Sequence, residues 1–174
     1  YELVVFFDPD KKNAAALASE KGYQYFNSPE ALIDACDMID IVTPTVFHHQ
    51  VAQQALQAGK HIFIEKPIAN SLSEAQEITE MAKKHQVLGQ VGHVERFNPA
   101  FKAVADSITH PKFIESHRLA EFNPRGTDVP VVLDLMIHDL DILLSIVNAK
   151  IKSVSASGVA VISSTPDIAN ARIE

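Results

Sequence analysis

Apolar and polar positions along the first half of the chain fall into short blocks whose lengths alternate between those of strands and those of helices. Residues 2–8 form a continuous apolar run closed by Asp8, the pattern of a strand buried on both faces of a parallel sheet. An Ala-rich stretch at 11–20 follows Pro9, and Gly22 stands where a helix C-terminal cap falls. Residues 23–26 read as a brief strand. Ser28-Pro29-Glu30 then supplies an N-cap, a first-turn proline and an acid at the positive end of the helix dipole, so a short helix is predicted up to Cys36. The alternation continues with a strand at 39–42, a helix at 47–58 closed by Gly59, and a strand at 61–64. A Ser71/Glu74 capping box opens a helix to His85, and 86–92 reads as one more strand. Such a βαβα series predicts a doubly wound parallel sheet with right-handed crossovers for residues 1–92.

After Gly92 the rhythm changes. A short helix is predicted at 99–107, an extended run at 112–122, and a turn at Asn123-Pro124-Arg125-Gly126. An apolar helix at 131–147 and an alternating strand at 150–163 follow. Residues 93–174 are therefore read as the start of an α+β domain that continues beyond Glu174.

Composition narrows the chemistry. With 22 acidic residues against 15 Lys and Arg the formal charge is −7, and no basic stretch offsets it, which argues against nucleic acid or an anionic membrane surface as partner. The single Cys36 has no partner for a disulfide or a zinc site, so a reducing compartment, the cytoplasm, is expected. No long uncharged apolar run predicts a membrane span, and the first residues read as a strand rather than a cleavable leader.

In an open parallel sheet ligands bind beyond the carboxyl ends of the strands, where this chain places Asp8, Thr43-Pro44-Thr45, Glu65-Lys66-Pro67 and His93-Val94-Glu95-Arg96. A carboxylate such as Asp8 can accept both hydrogen bonds of a ribose diol and repel a 2′-phosphate, which favours NAD over NADP. Its alternative is a cap for the following helix. None of the six glycines forms a G-x-G-x-x-G turn, so the first strand and its glycine turn are expected to precede Tyr1. Lys66, set between Glu65 and Pro67, can polarise a hydroxyl or carbonyl oxygen; the alternative is a solvated loop lysine.

Asp134, His138 and Asp141 stand at i, i+4 and i+7, one face of an α-helix. An Asp one turn before a His orients the imidazole and favours its use as a general base. Two alternatives stay open: solvated acids on an exposed face, or a divalent metal held by His138, Asp134 and Asp139. His48, His49 and His61 fall on other elements and no H-E-x-x-H exists, so no metal is expected. No G-x-S-x-G elbow is present and Cys36 has no activating base, so nucleophilic hydrolysis is not expected.

The string Thr43-Pro-Thr-Val-Phe-His48, then Ala55-Leu-Gln-Ala-Gly-Lys-His-Ile-Phe-Ile-Glu-Lys-Pro67, resembles the glucose-fructose oxidoreductase / inositol dehydrogenase / MocA family of NAD(P)-dependent oxidoreductases. Asp134-x-x-x-His138 resembles its second signature. The resemblance implies a Rossmann domain followed by a domain with an open antiparallel sheet that carries substrate and the contacts of a homo-oligomer, a dimer or tetramer. It implies Lys66, Asp134 and His138 as the catalytic group, acting together on a sugar or polyol hydroxyl beside NAD. By the same resemblance Asp8, Thr43, Pro44, His48, Glu65 and Lys66 bind the cofactor, although Thr45 replaces the family's common Asn. The segments Gly92-His-Val-Glu-Arg-Phe-Asn-Pro99 and Leu135-Met-Ile-His-Asp-Leu-Asp141 look most like the branch of UDP-N-acetylglucosamine 3-dehydrogenases, which implies a nucleotide-sugar substrate. Glu95, Arg96 and Asn98, at the domain junction, are then the substrate-side residues, with Arg125 a further candidate for a diphosphate because a guanidinium fork matches phosphate oxygens. For Arg96 the competing role is an interdomain salt bridge. A non-catalytic NAD-binding or scaffold module is the alternative function, and a metal-dependent hydrolase a more distant one.

Overall fold

The computed structural model describes residues 5–121 and 129–174. The chain divides into two compact units, Tyr1–Gln90 and Val91–Glu174.

The first unit alternates strands and helices: β1 (Val5–Phe6), α1 (Lys11–Lys21), β2 (Gln24–Tyr25), α2 (Pro29–Ala35), β3 (Met38–Ile41), α3 (His48–Gln57), β4 (His61–Ile64), α4 (Leu72–His85) and β5 (Gly89–Val91). β1 and β2 pair in parallel, with Val5 opposite Gln24. β3, β4 and β5 form a second ladder in that order, and β3 runs parallel to β4 with Ile41 opposite Ile64. Local sequence accounts for most of the boundaries. Asp10 caps α1 by accepting from the N–H groups of Lys12 and Asn13, and Gly22 ends it at φ 71°, a left-handed conformation that glycine adopts without steric cost. Ser28 caps α2 with Pro29 at the first position. Ser71 and Glu74 complete their capping box.

Packing follows the same elements. β3 and β4 bury alternate residues, Ile39 and Ile41 with Ile62 and Ile64, rather than a continuous run. Ala52, Ala55 and Leu56 of α3 and Ile78 of α4 complete this core. Two sequence expectations shift. Asp8 does not cap α1; its Oδ1 accepts the Asp10 N–H at 2.7 Å and thereby braces the residue that does. Gln86 belongs to no strand, because at φ 56° it caps α4 in the left-handed region.

The second unit holds α5 (Pro99–Ala105), α6 (Ile137–Ile146) and an antiparallel hairpin of β6 (Val154–Val159) and β7 (Ile168–Ile173), with Val154 opposite Ile173. The helix predicted from 131 is not uniform: Val132–Met136 is π-helical, with the Ile137 N–H reaching back to the Val132 carbonyl, before α6 begins. The predicted strand at 150–163 is shorter, and β7 was not anticipated. Asp167 Oδ2 closes the hairpin by accepting N–H groups from Val161 at 2.6 Å, Ile162 at 2.7 Å and Ser163 at 3.0 Å. Residues 112–121 join no ladder, and the predicted turn at 123–126, with Arg125, lies outside the described residues. Among the described residues no helix is long and apolar enough to cross a membrane.

Candidate functional site

The candidate residues fall into two groups, one in each unit. In the first unit they sit just beyond β1, β3 and β4. Asp8 is exposed after β1, and the Asp10 N–H fixes one of its carboxylate oxygens. Beyond β3 the chain passes Thr43 and Pro44 into a single 3₁₀ turn, Thr45–Phe47, that leads into α3. Thr43 Oγ1 is buried and makes no hydrogen bond among the described residues. A buried hydroxyl in that state lacks what folded proteins almost always provide, so a ligand hydroxyl or phosphate at this strand end would complete it. That is the fit expected of a nucleotide-binding crevice.

His48 opens α3 and is 1% exposed. Its Nδ1 lies 2.9 Å from the Pro67 carbonyl and its Nε2 2.8 Å from the Thr43 carbonyl. The ring is therefore committed to the main chain on both sides, and its place is within the wall rather than on a ligand-facing surface. The other histidines considered for a metal are separately engaged: His49 with Glu77 at 2.9 Å, and His61 Nδ1 as acceptor of the Leu88 N–H at 3.0 Å.

Glu65 carries the β3–β4 pairing one residue past β4, its N–H donating to the Ile41 carbonyl at 3.0 Å. Its own carboxylate accepts the Lys66 N–H at 3.3 Å. Lys66 is half-buried, bounded on one side by this ladder contact and on the other by the carbonyl of Pro67 that His48 holds. The neighbouring Asp40 carboxyl is pushed above its ordinary range, first by partial loss of water and then by the Glu65 carboxylate.

The second group is a charge network on and around α6. Arg96 grips Asp141 with two bonds, Nε to Oδ2 at 2.6 Å and Nη2 to Oδ1 at 2.6 Å. Arg118 grips Asp139 in the same way at 2.9 and 3.1 Å, and Ser116 Oγ adds a donor at 3.0 Å. Two-pronged guanidinium–carboxylate pairs fix geometry as well as charge. Asp141 is held below the usual carboxylate range by the Arg96 hydrogen bonds against an opposing effect of burial, with help from the charges of His93 and His138. For Asp139 burial is the largest influence and acts upward, but the bonds from Arg118 and Ser116 together outweigh it. His138 and Asp134 are both half-buried, Asp134 on the π-helical turn and His138 in the first turn of α6. The π turn means that the regular α spacing assumed for the pair does not hold on the Asp134 side.

Glu95, Arg96 and Asn98 have partners inside this unit. Asn98 Oδ1 caps α5 by accepting the Ala100 N–H at 3.0 Å, and its Nδ2 donates to Glu95 Oε2 at 3.2 Å. The Arg96 ion pair is real, but both partners lie in the second unit, so it is not the interdomain bridge weighed for it. Arg118 carries no sequence signal, and His93, one of the strand-end residues, has no role assigned from sequence. His93 Nδ1 is buried 3.8 Å from Asp141 and makes no hydrogen bond among the described residues. Among these residues no group of three or more His, Cys, Asp and Glu is arranged to hold a metal ion.

Residues 1–93 match an oxidoreductase family with an NAD-binding Rossmann fold, that of glucose-fructose oxidoreductase, inositol dehydrogenase and MocA. UDP-N-acetylglucosamine 3-dehydrogenase from Acidithiobacillus ferrooxidans is 39% identical over 171 residues, which cover 98% of this chain and 55% of that protein. The scyllo-inositol 2-dehydrogenase (NAD(+)) of Bacillus subtilis is 33% identical, covering 90% of the chain and 49% of the relative. A solved structure of the Acidithiobacillus enzyme superposes with a TM-score of 0.91 at 38% identity, over 98% of this chain and 57% of that one. The chain thus spans about half the length of the curated relatives it matches. With the family match covering more than half its residues, the chain belongs to the glucose-fructose oxidoreductase / inositol dehydrogenase / MocA family of NAD-binding Rossmann-fold oxidoreductases.

Proposed function

We propose that this protein is an NAD-dependent dehydrogenase that oxidises a secondary hydroxyl of a sugar, with UDP-N-acetylglucosamine as the favoured substrate. The observation that carries this reading is the 39% identity to a UDP-N-acetylglucosamine 3-dehydrogenase across 98% of the chain, a span that includes both candidate groups. NAD, when bound, supplies the hydride acceptor. His138 accepts the hydroxyl proton as hydride leaves the carbinol carbon, and the Lys66 ammonium stabilises the oxygen as negative charge develops on it. The sugar becomes a keto sugar, the proton resides on the imidazole, and Asp134 orients that ring. Asp8, exposed beyond β1 with one oxygen fixed, suits a ribose diol and disfavours a 2′-phosphate, which supports NAD over NADP. Thr43 and Glu65 complete the cofactor side.

The metal-dependent hydrolase fits less well, because Asp139, the carboxylate next to His138, is already bound by Arg118 and Ser116. The test is incubation of the protein with NAD and UDP-N-acetylglucosamine while the absorbance of reduced nicotinamide is followed. A keto-sugar product and a slower rate when deuterium replaces hydrogen on the reacting carbon are expected. No reduced nicotinamide with this substrate, free sugars or polyols overturns the reading.

A further inference from the structure

We propose that His48 is the positioning residue for Lys66, a bracket that fixes the loop after β4 against the loop after β3. The inference rests on the dehydrogenase reading for the role of Lys66, but the bracket itself is a matter of geometry. Thr43 and Pro67 belong to the two loops that leave adjacent parallel strands, and among the described residues no β-ladder bond joins them once the pairing ends at Glu65. The imidazole fills that gap. Its Nδ1 meets the carbonyl directly after Lys66 at 2.9 Å and its Nε2 meets the carbonyl of Thr43 at 2.8 Å, on a ring with 1% exposure. Carbonyl oxygens only accept, so the ring nitrogen that carries the hydrogen donates to the carbonyl it faces, while the other nitrogen packs at close range against the second carbonyl. Hydrogen bonds shielded from water in this way hold their geometry, and a backbone carbonyl left buried without a donor is costly.

The consequence for Lys66 is local. Glu65 anchors its amide side through the Ile41 carbonyl, and His48 anchors its carbonyl side through Pro67, so the stem of the lysine leaves a backbone held at both neighbours. The Thr43 side of the ring acts separately, on the loop that carries the buried Thr43 hydroxyl. One side chain therefore supports two functions through two different nitrogens. A misplacement of a reacting group by about 1 Å can cost roughly a hundredfold in rate, so the bracket matters even though His48 touches no substrate.

The two nitrogens can be separated by substitution. In His48→Asn the amide nitrogen takes the Nδ1 position and keeps the Pro67 bond, whereas in His48→Gln it takes the Nε2 position and keeps the Thr43 bond. His48→Ala keeps neither. Turnover is expected to fall by about tenfold to a hundredfold in His48→Ala and His48→Gln, and to recover largely in His48→Asn. Affinity for NAD, measured by calorimetry, is expected to show the opposite split, recovering in His48→Gln. The rate at which an N-hydroxysuccinimide ester acylates Lys66, read by mass spectrometry, reports the same placement without any substrate. It should rise in His48→Ala and His48→Gln and return toward the native rate in His48→Asn. Equal Lys66 acylation in all four proteins overturns the proposal, as does turnover that follows thermal stability alone with no difference between Asn and Gln. If the unsubstituted protein reduces no NAD, the dehydrogenase reading fails while the acylation pattern still decides the role of His48.

Discussion

The two units are held together by different means. Every buried apolar residue among those described lies in the first unit, from Val5 and Ala14 through the isoleucines of β3 and β4 to Ile78. In the second unit only Gly92 and the charged Asp141 are buried among the described residues. Its hairpin leaves Val154, Val159 and Ile168 uncovered by the described residues, and the contacts that fix its side chains are arginine–carboxylate pairs and the Asp167 loop closure. Burial of apolar area is non-directional, so the first unit gains stability from many interchangeable contacts. Ion pairs are directional and sensitive to pH, so the second unit gains placement of particular side chains. The residues proposed for the cofactor thus stand on a packed platform, and His138 stands beside carboxylates whose positions are dictated by Arg96 and Arg118.

The largest expected effect is in the packed unit. Leu56 is 0% exposed on α3, and Leu56→Ala should cost about 2–5 kcal/mol in denaturant unfolding, with the loss spread across the amide-exchange protection of the first unit. A cost of less than about 1 kcal/mol would mean that this core relaxes freely and that the contrast between the units is overstated. Next comes Asp141→Ala, which removes the Arg96 partner. Arg96 is 47% exposed and can return to water, so the expected cost is about 1–2 kcal/mol rather than that of a fully buried pair, localised to exchange in α6. A loss spread equally over both units would break the comparison.

The smallest effect is graded with pH. Asp139 and Asp141 have folded-state pKa values below those of free carboxyls, so the stability they contribute is complete above the unfolded value of about 3.9. It is lost as pH falls through their folded values. Asp40 in the first unit is shifted upward, and its protonation in the same descent relieves repulsion from Glu65. Acid should therefore reduce amide protection in α6 before α3. Earlier loss in α3 would reverse the assignment of charge-based stability to the second unit.

Much of the first unit is legible in sequence because its signals are local. The Ser71/Glu74 box, the Ser28-Pro29 start and the Gly22 stop each act within a few residues of themselves, and they place α4, α2 and α1. Gln86 escaped notice because a left-handed cap was taken by a residue other than glycine or asparagine. The second unit is less legible for the same physical reason. Arg96 finds Asp141 across 45 residues and Arg118 finds Asp139 across 21, distances over which no periodicity points from one partner to the other. The π turn that carries Asp134 is likewise invisible to a pattern that assumes uniform α spacing. His48 was visible as part of a motif, but the role of its ring depends on which carbonyls lie at its two nitrogens, and these appear only in the fold.

The central claim is that Lys66 and His138 serve one hydride-transfer step, and it is tested most directly by turnover in Lys66→Ala, His138→Ala and the double variant with saturating NAD and UDP-N-acetylglucosamine. Each single change should lower kcat by roughly 10²–10⁴-fold, and the double variant should be little worse than the poorer single one, because groups that act on the same transition state are not additive. Near-native turnover in either single variant, or losses that multiply in the double, would contradict the account.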